Sequence, residues 1–302
     1  MNKKYLIVVV GPTAIGKTSL GIELARSLNT EIISADSRQF FKEMKIGTAV
    51  PSKEELEAAN HHFIQHISVE EEYSVGDFER DALQKLQELY TEKDVVVMVG
   101  GSGLYVNAVT KGLDDFPEVD PQIRINLKTE LEKSGLEKLQ EELKNKDPDY
   151  YSEVDLQNPH RVIRALEICR GTGKSYSSFR KSGSKNRFFE TIYLGLTAER
   201  EIVYDRINRR VDIMMEEGLL QEAEDLFSKR ELNSLNTVGY KELFKYLQGE
   251  WDLGTAVAEI KKNTRRFAKR QFTWFRKNEE IKWFEVGTPT KEVVSYVQKR
   301  LT

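Results

Sequence analysis

Residues 8–19 read VVVGPTAIGKTS, a β-rich run that stops at one glycine and reaches a second five residues later. Gly11, Gly16, Lys17 and Thr18 complete the spacing G-x-x-x-x-G-K-[ST]. YLIVVV precedes the loop and the helix-patterned SLGIELARSL follows it, which is the strand, loop and helix context of a phosphate cradle. Glycines let backbone N–H groups close around an anion, and the helix that follows adds its positive end. Lys17 supplies a point charge, and the Thr18 hydroxyl can hold Mg²⁺.

Working outward, further β-rich runs bounded by turn residues appear at EIISA, HFIQHI, VVVMV, TIYLGL and KWFEV, with helix-patterned stretches between them. That alternation predicts an α/β fold, a parallel sheet with helices on both faces. About ninety residues without a convincing strand separate VVVMV from TIYLGL, too long for one crossover, so a helical insertion is expected. It is placed at residues 116–189, opening in FPEVDP and closing in the flexible turn KSGSKN, which leaves 1–115 and 190–302 as a discontinuous core.

With 302 residues and 39% hydrophobic content the chain can bury a sizeable core. Its 46 basic residues nearly balance 49 acidic ones, so affinity for nucleic acid has to come from local clustering. Two clusters exist: residues 161–188 carry eight Lys or Arg against one Glu, and 261–277 carry eight against no acid. In the second, Phe267, Phe272, Trp274 and Phe275 interleave with the cations; aromatics in such a setting stack on bases or pack inward. No apolar stretch approaches the roughly 20 residues of a bilayer span, and MNKKYLIVVVGP is too short in its apolar part for an export signal. The single Cys169 excludes a disulfide framework and fits a reducing cytoplasm, with buried packing as its expected role.

A nucleotide hydrolase or kinase of this fold carries an acid at the end of a second buried strand, where it helps to hold the metal beside a γ-phosphate. Here VVVMV runs into Gly100, Gly101, Ser102 and Gly103. The cradle is therefore suited to a diphosphate without being built for γ-phosphoryl transfer, unless the acid comes from elsewhere. Asp36, at the end of EIISA, is the candidate. A carboxylate at the carboxyl edge of a parallel sheet can coordinate metal, cap a helix, or accept a proton from a substrate amine. His62 and His66 stand four apart, a spacing that binds zinc on a helix, but HFIQHI alternates like a strand and no acidic third ligand follows.

Together GPTAIGKT, DSRQFFKEMKIGTA, VGGSGLY, NPHRVIRALEI, TVGYKEL and TRRFAKRQFTWFR resemble the tRNA dimethylallyltransferase family almost from end to end. The single cysteine leaves no zinc finger of the kind some eukaryotic members carry, so the resemblance is to the bacterial type. It implies a P-loop NTPase-like core and transfer of a dimethylallyl group from dimethylallyl diphosphate to the N6 amine of the adenine 3′ of the anticodon. The cradle, commonly described as nucleotide-binding, would grip the donor's diphosphate through Gly11, Pro12, Thr13, Ala14, Ile15, Gly16, Lys17 and Thr18, with Mg²⁺ on Thr18. Asp36 would be the general base, acting with Lys17 and Thr18. The same resemblance places tRNA contacts at Asp36, Ser37, Arg38, Gln39, Ser102, Arg124, His160, Arg161, Val162, Ile163 and Arg164. Among these, Gln39 has the paired donor and acceptor that read a purine edge, whereas Val162 and Ile163 have side chains suited to filling the insertion's core. The amine of a stacked loop base cannot reach a buried cradle, so the anticodon stem-loop would have to extrude its target. A cytoplasmic monomer is expected, since one tRNA already supplies a large partner surface. Three rivals share parts of the pattern: an isopentenyltransferase of free adenine nucleotides, a small-molecule kinase, and a non-enzymatic RNA-binding protein with a relic cradle. The basic segments, the glycine turn and the intact Gly-Lys-Thr with Asp36 weigh against them in that order.

Overall fold

The computed structural model describes residues 3–180 and 185–301. They divide into a first unit, Met1–Thr110 with Asn186–Thr302, and a second, Lys111–Lys185. Of the KSGSKN turn expected to end the insertion, Lys181–Ser184 lie outside the described residues.

Six strands, all paired in parallel, build the first unit: β1 (Tyr5–Val10), β2 (Ile32–Ser34), β3 (His61–His62), β4 (Val95–Val99), β5 (Glu190–Thr197) and β6 (Lys282–Glu285), in the order β3-β2-β4-β1-β5-β6. The central β1 is buried along its whole length. Leu6, Val8 and Val10 join one apolar cluster while Tyr5, Ile7 and Val9 join another. Successive side chains of a strand point to opposite faces, so the uninterrupted apolar run reports a sheet covered on both sides.

The helices that cover it are α1 (Lys17–Ser27), α2 (Lys53–Ala58), α3 (Val75–Leu89) and α4 (Gly103–Lys111), then, after the second unit's α5–α8, α9 (Arg200–Glu216), α10 (Leu219–Leu226), α11 (Tyr240–Leu247), α12 (Leu253–Phe275) and α13 (Thr290–Gln298). In α3 a capping box between Ser74 and Asp77 starts the helix. Its Phe78, Ala82 and Leu86, four apart, then turn one stripe onto the sheet.

The second unit contains α5 (Pro121–Ser134), α6 (Leu136–Lys146), α7 (Pro148–Glu153) and α8 (Pro159–Thr172). Asp120, Asp147 and Asn158 each cap a helix whose first turn holds a proline, the residue whose missing N–H costs nothing at that position. Its core is Leu127, Leu139, Leu143, Val162, Ile163, Ala165 and Leu166. Cys169 is buried.

The run HFIQHI departs from expectation. Only His61 and His62 pair with β2, and Phe63 and Gln65 then take left-handed backbone angles, φ 65° and 47°. The N–H groups of Gln65 and His66 turn instead to the carbonyls of Gln39 and Phe40. This places the His66 ring among Phe40, Phe63 and Tyr73. The alternation of apolar residues thus serves an aromatic nest rather than a strand. Among the described residues no helix is long and apolar enough to cross a membrane.

Candidate active site

Three strand ends, those of β1, β2 and β4, lie side by side in the sheet and carry Gly11, Asp36 and Gly100 just beyond them. The carboxyl edge, where strand order reverses, is where ligands of open α/β sheets bind. After β1 the chain turns at Gly11, where a Cβ would come within 2.8 Å of the Leu196 carbonyl. At Gly16, the residue before α1, φ is +102°. No acidic side chain stands in the first turn of α1, so the positive end of that helix is unopposed by its own sequence. Lys17 donates to the Pro12 carbonyl at 2.7 Å. Burial lowers its ammonium to about 8, Asp36 pulling it up and Arg210 pushing it further down.

A cavity of about 650 Å³ opens here, lined by Thr13–Ser19, Asp36, Gln39, Lys45, Ile46, segment 48–53, Arg210 and Met214 among others. Thr18 lines this space, and its hydroxyl has no hydrogen-bond partner among the described residues. Asp36 lines the same space, and its Oδ1 accepts the Arg38 backbone N–H at 3.2 Å. Burial raises the Asp36 carboxyl above the usual carboxylate range; that N–H, then Lys17, Arg38 and Arg210, work in the opposite direction. A partnerless hydroxyl and a carboxylate in one cavity are the oxygen donors a Mg²⁺ ion takes.

A second cavity, of about 720 Å³, lies on the other side of Asp36. Thr13, Asp36, Thr48, Ala49, Arg210 and Met214 line both spaces. Its further walls are the glycine turn Gly101–Gly103, the segment Asn236–Gly239, and one face of α12 formed by Ile260, Asn263, Thr264, Phe267, Arg270, Gln271 and Trp274. Those positions recur every three or four residues, the period of a single helix face. Phe267 and Trp274 remain 38% and 39% exposed, with Arg270 over the Phe267 ring, whereas Phe275 is buried and Phe272 packs against the core. The four aromatics of the basic segment therefore split: two fill the core and two face the cavity.

The glycine turn after β4 is close-packed. A Cβ on Gly100 would meet the Ala35 carbonyl oxygen at 2.4 Å, and one on Gly101 would meet Gln271 Nε2 at 2.3 Å. The side chain an acidic residue needs has no room there. Ser102, at the end of this turn, bonds Ser37: its Oγ accepts the Ser37 N–H at 3.1 Å and lies 3.1 Å from the Ser37 hydroxyl.

Two side chains expected to contact RNA are engaged inside the fold. The Arg38 guanidinium donates to the carbonyls of Asn233, Ser234 and Asn236, at 3.3, 2.7 and 3.5 Å. The Gln39 amide donates to the carbonyls of Thr48 and Ala49, at 3.2 and 2.8 Å, and its oxygen accepts the Ser34 hydroxyl at 3.3 Å. Gln39 thus spends on the 48–49 turn the donors a purine edge requires. In the second unit, Val162 and Ile163 are 0% and 4% exposed, so their side chains fill its core and offer RNA nothing. His160 and Arg161 are exposed in the first turn of α8. Arg124 and Arg164 both donate to the buried Glu167, at 3.3 and 2.9 Å. His62 bonds Glu31 at 2.7 Å.

Two residues of the site escape a reading by motif. Arg210 of α9 reaches Thr13 Oγ1 at 3.4 Å and lines both cavities. Gln271, 5% exposed, accepts the Thr13 N–H at 2.8 Å and donates to the Gly101 carbonyl at 3.0 Å, tying the cradle to the glycine turn. The signal for Gln271 was available: with Ala268 and Phe275 it occupies the buried phase of α12, where a polar group demands a partner.

A family model described as IPP transferase matches residues 39–278. A tRNA dimethylallyltransferase of Christiangramia forsetii is 62% identical over 297 residues, 98% of either chain. One of Flavobacterium johnsoniae is 56% identical, over 99% of this chain and 98% of its own. Among solved structures, the full-length tRNA isopentenylpyrophosphate transferase of Bacillus halodurans aligns with a TM-score of 0.74 at 38% identity, covering 99% of this chain and 97% of its own. A eukaryotic dimethylallyltransferase captured acting on tRNA aligns with a TM-score of 0.80 at 27% identity, over 98% of this chain and 77% of its own. With a phosphate cradle, an acid beside it, a second cavity beyond that acid and these relatives over nearly its whole length, the chain belongs to the IPP transferase family.

Proposed function

We propose that this protein transfers a dimethylallyl group from dimethylallyl diphosphate to the N6 amine of the adenine 3′ of the anticodon in tRNA, releasing diphosphate. The observation that carries the reading is that Asp36 lines two cavities, one built on the phosphate cradle and the other on the face of α12 that carries Phe267, Arg270 and Trp274. A donor held by its diphosphate on one side and a base inserted from the other would meet at this carboxylate. The names of the relatives favour tRNA as the acceptor over free nucleotides, and a prenyl donor over ATP.

The chemistry follows from the residues. The bond that breaks joins the allylic carbon to a diphosphate oxygen, and charge grows on that oxygen as it departs. Backbone N–H groups of the cradle, Lys17 and Arg210 are fixed in advance around the place where that charge develops, which makes them worth more than the same groups in water. Thr18 would hold Mg²⁺, and the ion would add its charge to the stabilisation of the diphosphate. The attacking N6 is a weak nucleophile because its lone pair is delocalised into the ring. Asp36 accepts its proton as the nitrogen–carbon bond forms, and burial, by raising the carboxyl's proton affinity, makes it a stronger base for that step. Gln271 keeps the Thr13 N–H and the glycine turn in register while this happens. His160 and Arg161, exposed on α8, and Trp274, Phe267 and Arg270 supply RNA contacts.

The test is incubation of protein and Mg²⁺ with labelled dimethylallyl diphosphate and, in parallel, unmodified tRNA, AMP or no acceptor. Label on tRNA alone is the expected result. Label on AMP transfers the assignment to a nucleotide enzyme, and ATP hydrolysis without transfer returns it to a kinase.

A further inference from the structure

The segment Lys45–Ala49 borders both cavities, as a partition between them would. Lys45 and Ile46 face the first, Gly47 the second, and Thr48 and Ala49 both. It is a turn closed by its own bonds, Ala49 N–H to the Ile46 carbonyl at 3.0 Å and Val50 N–H to the Lys45 carbonyl at 3.1 Å, and side chains from elsewhere tie that turn to the rest of the fold. Glu222 of α10 does this from one side. One of its oxygens accepts the N–H groups of Lys45 and Ile46 at 3.0 and 2.8 Å, and the other accepts the Gly47 N–H at 2.9 Å and the Tyr240 hydroxyl at 2.6 Å. From the opposite side the Gln39 amide holds the carbonyls of Thr48 and Ala49. The fit is tight: a Cβ on Gly47 would come within 2.6 Å of the fully buried Tyr240 ring, and Ala49 is held at φ 50°. Neither Glu222 nor Tyr240 lines either cavity.

We propose that Glu222 is a positioning residue whose carboxylate clamps the 45–49 partition in place, so that the prenyl carbon meets the RNA amine and not water. This rests on the transferase reading above. When the allylic carbon–oxygen bond breaks, the electron pair leaves with diphosphate and the carbon needs a nucleophile. If N6 supplies it, the proton passes to Asp36 and the product is prenylated RNA. If water supplies it, a proton passes to solvent and the product is dimethylallyl alcohol. Diphosphate is released either way, so the ratio of diphosphate to prenylated tRNA reports how well the partition holds.

The experiment measures both products with full-length protein, tRNA and Mg²⁺ for wild type, Glu222→Gln and Tyr240→Phe, with unfolding midpoints recorded alongside. Glutamine replaces one accepting oxygen by an NH₂ that confronts either the Lys45 and Ile46 N–H groups or the Gly47 N–H, and it removes the negative charge from every bond that remains; losing even one hydrogen bond to a charged group should raise the population of the displaced partition about tenfold. Wild type should release one diphosphate for each prenyl group on tRNA. Glu222→Gln should release an excess matched by dimethylallyl alcohol, and Tyr240→Phe, which loses one bond and keeps the carboxylate, a smaller excess. A ratio that stays at one in both variants overturns the clamp, whether their rates fall or not, because a purely structural defect lowers both products together. If Glu222→Gln fails to fold, Tyr240→Phe decides alone. Wild-type protein that prenylates no tRNA overturns the transferase reading instead, a result distinguishable from failure of the clamp.

Discussion

Raising the pH should loosen the donor while leaving the fold intact, and Lys17 sets the point at which this begins. Burial brings its ammonium from 10.5 down to about 8, with Asp36 resisting and Arg210 assisting. That difference amounts to about 3 kcal/mol by which the empty pocket disfavours the charged form. An arriving diphosphate supplies the missing counter-charge, so the donor binds the ammonium and not the amine. Above about pH 8 each further unit leaves about tenfold less of the binding form, until the lysine would be neutral in the complex as well. The contribution to folding has the opposite sign. The folded chain holds Lys17 below its unfolded value, so between about pH 8 and 10.5 the unfolded chain binds more protons, and this group makes the fold more stable as pH rises through that window. Loss of donor affinity there is therefore separable from alkaline unfolding. The assay is the kcat/KM for dimethylallyl diphosphate from about pH 7 to about 9.5 in wild type and in Lys17→Arg, whose guanidinium stays charged throughout. Wild type should decline above about pH 8 while the arginine variant stays level. A flat wild-type profile, or the same decline in both proteins, refutes the placing of the anion at Lys17.

Asp36→Ala should lower transfer by about 10²–10⁴-fold, the usual worth of a positioned base, and leave tRNA affinity within a few-fold when measured by filter binding; near-normal turnover would remove Asp36 from the proton transfer. Gln271→Met should strand the Thr13 N–H and the Gly101 carbonyl, at about 1–3 kcal/mol each, read as a lower urea midpoint and a raised donor KM, and a variant unchanged in both would show that the amide ties nothing together. Trp274→Ala should weaken tRNA binding by about 1–3 kcal/mol if the ring stacks on a base while leaving donor KM as it was, and an unchanged tRNA affinity would make the exposed ring a bystander.

What could be read from the chain and what could not divides by the distance over which each contact is made. The cradle is contiguous, so its spacing carries nearly all of its geometry, and the pattern of apolar runs carries the parallel sheet because β1 is buried on both faces. Arg38 and Gln39 were harder. The family resemblance marks them as RNA contacts, but the carbonyls that occupy Arg38 lie 195 to 198 residues away in sequence, and nothing local announces them; those that occupy Gln39 lie 9 and 10 residues away, in a turn that no motif describes. Gln271 reaches across 258 residues to Thr13, and Glu222 across 175 to Gly47. In HFIQHI the period was right and the inference wrong, since aromatic packing around His66 rewards the same alternation that a strand does.

The glycine turn after β4 joins these observations into one physical argument. A cradle of this kind becomes a phosphoryl-transfer site when a carboxylate at the end of the neighbouring strand helps to hold a metal at the γ-phosphate. Here the neighbouring strand carries none: it ends in Val99, a side chain at Gly100 would run into the Ala35 backbone, and one at Gly101 would have to displace the Gln271 amide. The same close packing draws α12 up to the cradle, and with it Phe267, Arg270 and Trp274, so the space beyond Asp36 is walled by a helix that suits a nucleic acid base. Asp36 is left as the carboxylate common to both spaces, the position that the proposed proton transfer requires.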